Sequence, residues 1–407
     1  MSQKINLRAF ANFFKSSSAG GIILLFCVVL SLTIANTGLA AGFENFLNTE
    51  IGFNTDSIHL RYPVILWIND GLMAIFFLLV GLEIKREIVE GELSSLRQAA
   101  LPVFAALGGV AVPALIYAVL NGGNPATSAG WGIPMATDIA FALGVLSLLG
   151  SRVPTGLKIF LAALAIVDDL MAILVIAIFY TSEIHYFYLA SAGGILLLQI
   201  AFNKLGFKNI LFYIIPGIFM WYFIHHSGIH ATIAGVLTAL TLPTTADAVE
   251  SPLEKLEHFL SKPVNFLIMP IFAIANTNIT FVDGMVEGLV SSLGLGIVLG
   301  LIIGKPVGIM AMSYLSVKFR VSQLPAHTKW PHILGAGLLG GIGFTMSIFI
   351  ALLSFDDEFL QSEAKFAILV ASIIAGISGF MVLKMYGKKR PFVENSANAM
   401  RPVEPND

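Results

Sequence analysis

Residues 159–182 read IFLAALAIVDDLMAILVIAIFYTS and carry no charge except two consecutive aspartates at their centre, Asp168 and Asp169. A helix of about 20 apolar residues crosses a bilayer, so this pair is expected close to the membrane midplane. An aspartate at the centre of such a helix costs roughly 2.5–3.5 kcal/mol on insertion scales, and here two stand in succession. Ionisable residues at that depth mark ion or proton sites rather than packing.

The rest of the chain agrees with a membrane solvent. Of 407 residues, 57% are hydrophobic and 12% charged, against roughly 25% charged in soluble domains. Mean hydropathy is +0.85. The fold class expected is an all-α polytopic membrane protein. A net charge of −2 argues against a nucleic-acid partner, and the single cysteine, Cys27, excludes an internal disulfide or a cysteine metal cluster. Lys4, Arg8 and Lys15 before an apolar stretch imitate a signal peptide, with Gly38-Leu39-Ala40 as a cleavage-site mimic. The stretch exceeds the 7–15 residues of a secretory core, so it is expected to remain as the first span.

Twelve apolar segments are expected, at about 19–39, 64–84, 98–120, 130–150, 156–181, 186–203, 208–226, 228–246, 263–277, 288–314, 332–354 and 364–385. That division puts all but three of the 23 Lys and Arg (Arg61, Lys365 and Lys305) on one side. Positive charge collects on the cytoplasmic side, which places both termini there. Residues 43–60 suit a small extracytoplasmic hairpin. The domain division is 1–387 as the transmembrane domain and 388–407 as a disordered cytoplasmic tail.

Few ionisable residues lie at membrane depth. Asp168 and Asp169 point about 100° apart on a helix, so both reach one hydrated cavity only if it is broad or flanks the helix. Two carboxylates so close in an apolar medium compete for protons and accept a cation that supplies the missing charge. Asp138 sits in GWGIPMATDIAFALG, where Pro134 and glycines weaken the helix. Unwound backbone beside Thr137 and Asp138 would expose the carbonyls and amide ends that transporters use for ions. Lys305, in GLIIGKPVGIM, is expected to pair with an aspartate or face the cavity. Gly340, Gly341 and Gly343, followed by Thr345 and Ser347, mark a second break. The two breaks each fall in the middle of a three-helix set, the pointer to inverted repeats with broken helices crossing at the midplane.

Asp70 is expected either to line an outer vestibule or to sit at the interface. Glu83, Lys85, Arg86 and Glu87 gather at the cytoplasmic end of the second span. The loop 246–262 brings Glu250, Glu254, Glu257 and His258 to the same face, as a pH-responsive cluster or as solvated charges. His226 and His230 stand four apart on an expected helix without an accompanying carboxylate or cysteine, which does not favour zinc.

Long stretches of this chain resemble the NhaA-type bacterial sodium/proton antiporters over about 13–387. They include FFLLVGLEIKREIVEGEL (76–93), GWGIPMATDIAFALGVLSLLG (130–150), LKIFLAALAIVDDLMAI (157–173), SGIHATIAGVL (227–237), PLEKLEHFL (252–260), GKPVGI (304–309) and GGIGFTMSIFIA (340–351). The resemblance implies a twelve-helix inverted-repeat fold in the bacterial inner membrane, exchanging Na+ or Li+ for H+ electrogenically, under pH control, with no cofactor. Asp168 and Asp169 would bind sodium and protons, Asp138 and Thr137 would lie at the helix crossing, and Lys305 would be the charge partner. Glu83, Arg86, Glu87, Glu257 and His258 match the family's pH-sensing cluster, and His230 matches a histidine linked to pH response. The 43–60 hairpin would join two protomers into a homodimer. Ser261, Met171 and Asn276-Thr277-Asn278 depart from the family pattern.

Three rivals are weaker. A sodium-coupled symporter of an organic solute needs further polar residues within the spans. An intramembrane aspartyl protease uses Tyr-Asp and Gly-x-Gly-Asp on separate helices, whereas no aspartate here follows Tyr or Gly. A membrane scaffold leaves three intramembrane carboxylates and a lysine without a purpose.

Overall fold

The structure is a computed structural model that describes residues 7–55, 59–181, 183–245, 250–282 and 284–387, without the side chains of 7–18. The expected tail, 388–407, lies outside the described residues. Eight continuous helices are long and apolar enough to cross a bilayer, and two bent pairs raise the number to as many as ten among the described residues. The seventh and eighth expected segments form the shorter helices Leu211–His225 and Ile233–Thr241. At 1.5 Å per residue these reach roughly 22 and 14 Å, less than the hydrocarbon core.

Three boundaries differ from the sequence reading. The helix beginning at Leu7 ends at Ala35 rather than near 39, and Ala40–Leu47 turns 111° away from it. The hairpin itself is antiparallel, Glu50–Asn54 on His59–Pro63, with Ile51 opposite Tyr62. The supposed loop 246–262 is largely helix. Ser251 accepts from the Glu254 amide while the Glu254 side chain accepts from the Ser251 amide, so this capping box starts Pro252–Pro263. That helix continues through a π-helical turn to Asn276, so the short ninth segment is the apolar half of a full-length helix. The polar first half hid it. Finally, His226 ends one helix and His230 follows the Gly228 turn (φ +86°), so the two histidines do not share a helix face.

Both expected breaks are present. Ser128–Met135 is a 3-10 helix containing Pro134, the chain is extended at Ala136 and Asp138, and Ile139–Leu148 then begins with Asp138 as its cap. Trp330–Gly340 and Phe344–Ser354 meet at a 46° bend. A Cβ at Gly341 would fall 2.4 Å from the Leu301 carbonyl, so glycine is what lets this break approach the tenth segment. That segment runs as Ser292–Leu299, a π-helical Gly300–Gly304 and Lys305–Lys318. It crosses Leu96–Asn121 where Gly108 and Gly308 face each other, each a position where a Cβ would strike the other's backbone. Small residues at such a crossing allow the close backbone approach that stabilises helix pairs in lipid.

Candidate ion site at the helix crossing

Each unwound strand completes the other. The Asp138 amide donates to the Ile342 carbonyl at 2.7 Å, and Thr137 Oγ1 lies 2.8 Å from the Gly340 carbonyl. Ser347 Oγ donates to the Ile133 carbonyl at 2.7 Å. Unpaired backbone groups cost several kcal/mol in hydrocarbon, so these bonds are what make two interrupted helices tolerable at this depth.

Asp138 is anchored from three sides. Its Oδ1 accepts from the Phe141 amide at 3.0 Å, closing its own helix. Its Oδ2 accepts from the Thr345 amide at 3.2 Å and from the Thr345 hydroxyl. The carboxylate therefore lies at the N-termini of Ile139–Leu148 and Phe344–Ser354, where helix dipoles favour negative charge.

Asp168 and Asp169 are both buried, yet their surroundings differ. Lys305, fully buried, places Nζ 2.7 Å from Asp168 Oδ2 and also donates to the Met135 carbonyl. Thr137 Oγ1 lies 2.7 Å from the same Asp168 oxygen. Its single hydroxyl hydrogen serves either Asp168 or Gly340, not both at once. Lys305 is thus matched to Asp168, as an aspartate partner was expected. Neither oxygen of Asp169 has a hydrogen-bond partner among the described residues. It borders a cavity of about 50 Å³ together with Asp138, Glu83, Asn265 and Thr345, closed by apolar side chains such as Phe76 and Met269. That is space for a few waters or one partly hydrated cation. The cavity does not meet the condition for taking in both aspartates: Asp168 turns onto Lys305, and only Asp169 of the two borders the open space.

Glu83 links this cavity to the cluster expected at the basic face. Arg86 pairs with Glu257 and, at 3.1 Å, with Glu87. His258 stands apart, bonded to Glu250 at 2.9 Å with both side chains largely exposed. Lys85 Nζ donates to the Leu240 and Leu242 carbonyls at 2.7 and 2.6 Å, capping Ile233–Thr241. Glu92, in the adjoining turn, is raised above the ordinary glutamate range by burial and then by the charge of Glu87.

Asp70 and His230 lie away from that cluster. Asp70 pairs with His225 at 3.2 Å, and His230 lies within electrostatic range of Asp70. Sequence reasoning missed the Asp70–His225 pair, the Ser372 hydroxyl that receives the Phe344 amide at 3.1 Å, and the three π-helical turns. Pro270 and Pro306 inside apolar runs were the available signal for two of those turns, since a proline frees a carbonyl in the preceding turn.

A predominantly helical polytopic protein whose buried carboxylates converge on two crossed, interrupted helices has the construction of a secondary ion transporter. The family model described as Na+/H+ antiporter 1 matches residues 11–383. Among curated relatives, "Na(+)/H(+) antiporter NhaA 2" of Flavobacterium johnsoniae is 67% identical over 390 residues, 96% of each chain. "Na(+)/H(+) antiporter NhaA" of Flavobacterium psychrophilum is 49% identical over 95% of this chain and 98% of its own. The Caulobacter vibrioides protein of the same name is 47% identical over 94% and 92% respectively. The chain belongs to the Na+/H+ antiporter 1 family.

Proposed function

We propose that this protein exchanges Na+ or Li+ for H+ across the bacterial inner membrane, and that Asp169 is the carboxylate at which the two cations compete. It is a transporter and not an enzyme. Sodium and protons are its cargo, and no resident cofactor takes part. The observation that supports this reading most is the Asp169 carboxylate, unpaired on the wall of a small acidic cavity, with Asp138 held opposite by two helix N-termini.

In this cycle, ions arrive from the cytoplasm past Glu83. Sodium takes its oxygens from Asp169, Asp138 and the Thr345 region, displacing the proton that otherwise neutralises Asp169. The site then turns outward, releases sodium and takes up protons. Because one carboxylate serves both ligands, sodium binding expels protons and acidification expels sodium. An electrogenic cycle needs a second proton per sodium, which we assign to Asp168 when it separates from Lys305. Glu83, Arg86, Glu87 and Glu257, with His258 at the margin, form the cytoplasmic unit whose protonation regulates access. Both termini face the cytoplasm, Asp70 and His230 line the outer side, and the hairpin expected at 43–60, whose strands are Glu50–Asn54 and His59–Pro63, joins two protomers. A symporter reading has no support in the family or in the size of the cavity.

Asp169→Asn tests the assignment. In everted vesicles it is expected to abolish sodium-driven proton movement, and retention of full exchange would reject it.

A further inference from the structure

We propose that the facing amides of Asn69 and Asn276 form the outer gate of the ion route, as positioning residues that keep the site closed to the outside until they part. The proposal rests on the exchange reading above.

The second and ninth spans both line the cavity, through Glu83 and Asn265. Followed away from the basic face, the same two helices touch again at Asn69 and Asn276. At 1.5 Å per residue this point lies roughly 21 Å from Glu83 along one helix and roughly 16 Å from Asn265 along the other. There the side chains bond reciprocally, Asn69 Nδ2 to Asn276 Oδ1 at 3.2 Å and Asn276 Nδ2 to Asn69 Oδ1 at 2.8 Å. Asn276 is buried and also donates to the Phe272 carbonyl at 3.0 Å. Between amides and cavity lies an aromatic wall, with Phe349 5.5 Å from Phe77 and 6.2 Å from Phe272 between ring centres. An ion leaving outward between these spans meets that wall and then the amide pair.

The chemistry suits a closure that opens repeatedly. Two amides that part exchange their mutual bonds for bonds to water, so the net free-energy change is small, whereas opening an apolar seam exposes surface with no compensation. The placement suits it too. Asn69 lies in the π-helical turn Trp67–Leu72, where the regular ladder is already interrupted. Asn276 is the last residue of its helix, immediately before the chain leaves it at Thr277. Either side chain can withdraw without breaking a run of helical bonds. The next residue, Asp70, ties the same turn to His225 on a neighbouring helix, which gives the turn a fixed side and a releasable side.

The test is exchange by the full-length protein in proteoliposomes. In a Cys27→Ala background, Asn69→Cys with Asn276→Cys is joined by a short, reductively cleavable dithiol cross-linker. Cross-linking is expected to reduce Na+/H+ exchange tenfold or more, with recovery on reduction. Undiminished exchange by the cross-linked protein overturns the gate. Absence of exchange in the unmodified wild type would instead overturn the function on which it rests. A second measurement needs no cross-link. Asn69→Ala and Asn276→Ala each remove both bonds, and Asn276→Ala also removes the bond to the Phe272 carbonyl, so each should lower the apparent KM for external sodium several-fold, and the double variant should lower it no further than Asn276→Ala alone. The KM on the cytoplasmic side should change less and in the opposite direction, because the populations of the two facing states have shifted. Additive effects, or equal changes on both sides, contradict the gate.

Discussion

Asp168 and Asp169 are neighbours in sequence, equally buried and chemically identical, yet their side chains meet different surroundings. On one side of their helix the structure is filled: Lys305, Thr137 and the Met135 carbonyl crowd around Asp168. On the other side Asp169 borders open space beside Asp138 and Glu83. The difference teaches that an intramembrane charge has two ways to persist. It can be neutralised by a fixed partner, as Asp168 is by Lys305, or it can stand without one, as Asp169 does, which leaves it open to a mobile cation in the exchange we propose. The angle between consecutive residues of a helix is enough to separate the two.

The largest expected effect breaks the comparison at the open side. Asp169→Asn should abolish sodium-driven exchange without lowering thermal stability, because no protein partner is lost. Thermal unfolding in detergent alongside a transport assay checks both halves. A large fall in Tm would give Asp169 a structural role instead.

Next is the filled side. Lys305→Met strands Asp168 as a buried charge, and such losses cost about 3–5 kcal/mol. A second substitution, Asp168→Asn, removes the stranded charge and should restore most of the stability. Measured Tm values for the two singles and the double decide it, and additive losses would mean that the pair is not coupled.

Thr345→Val sharpens the account of Asp138. It removes one hydroxyl donor from a carboxylate still held by two amides, so a loss of about 1–2 kcal/mol in sodium binding is expected, read as a 5- to 30-fold rise in Kd. A change below twofold would show that the amides suffice.

The smallest effect concerns Glu92, outside the membrane. Its raised pKa means that the folded protein holds that proton more tightly than the unfolded chain. The stability this contributes is present below the ordinary glutamate range and is lost as pH rises through the raised value. Glu92→Gln should therefore raise Tm at neutral pH by no more than about 1–2 °C and leave it unchanged in acid. An equal shift at both pH values would assign the effect to packing.

Much of this was legible in the chain because lipid imposes simple rules. The acidic doublet, the lone intramembrane lysine, and the Gly- and Pro-marked breaks all stand out against apolar runs, and each occupies the expected neighbourhood. What stayed hidden depends on direction and on long-range pairing. No spacing rule says which aspartate faces Lys305, since that depends on how the helix is rotated against its neighbours. The Pro252–Pro263 helix hid because its polar face imitates a loop, although the Ser251 and Glu254 capping signature was readable. The Asn69–Asn276 pair joins residues 207 apart, and single sequences carry no sign of such contacts.

The most direct test of the central claim measures sodium binding and proton release on the same purified protein, by calorimetry in buffers of different ionisation enthalpy. If one carboxylate serves both cations, sodium binding to the wild type releases protons, its Kd weakens as pH falls, and Asp169→Asn shows neither binding nor release. Sodium binding that releases no protons and does not change with pH would contradict the account.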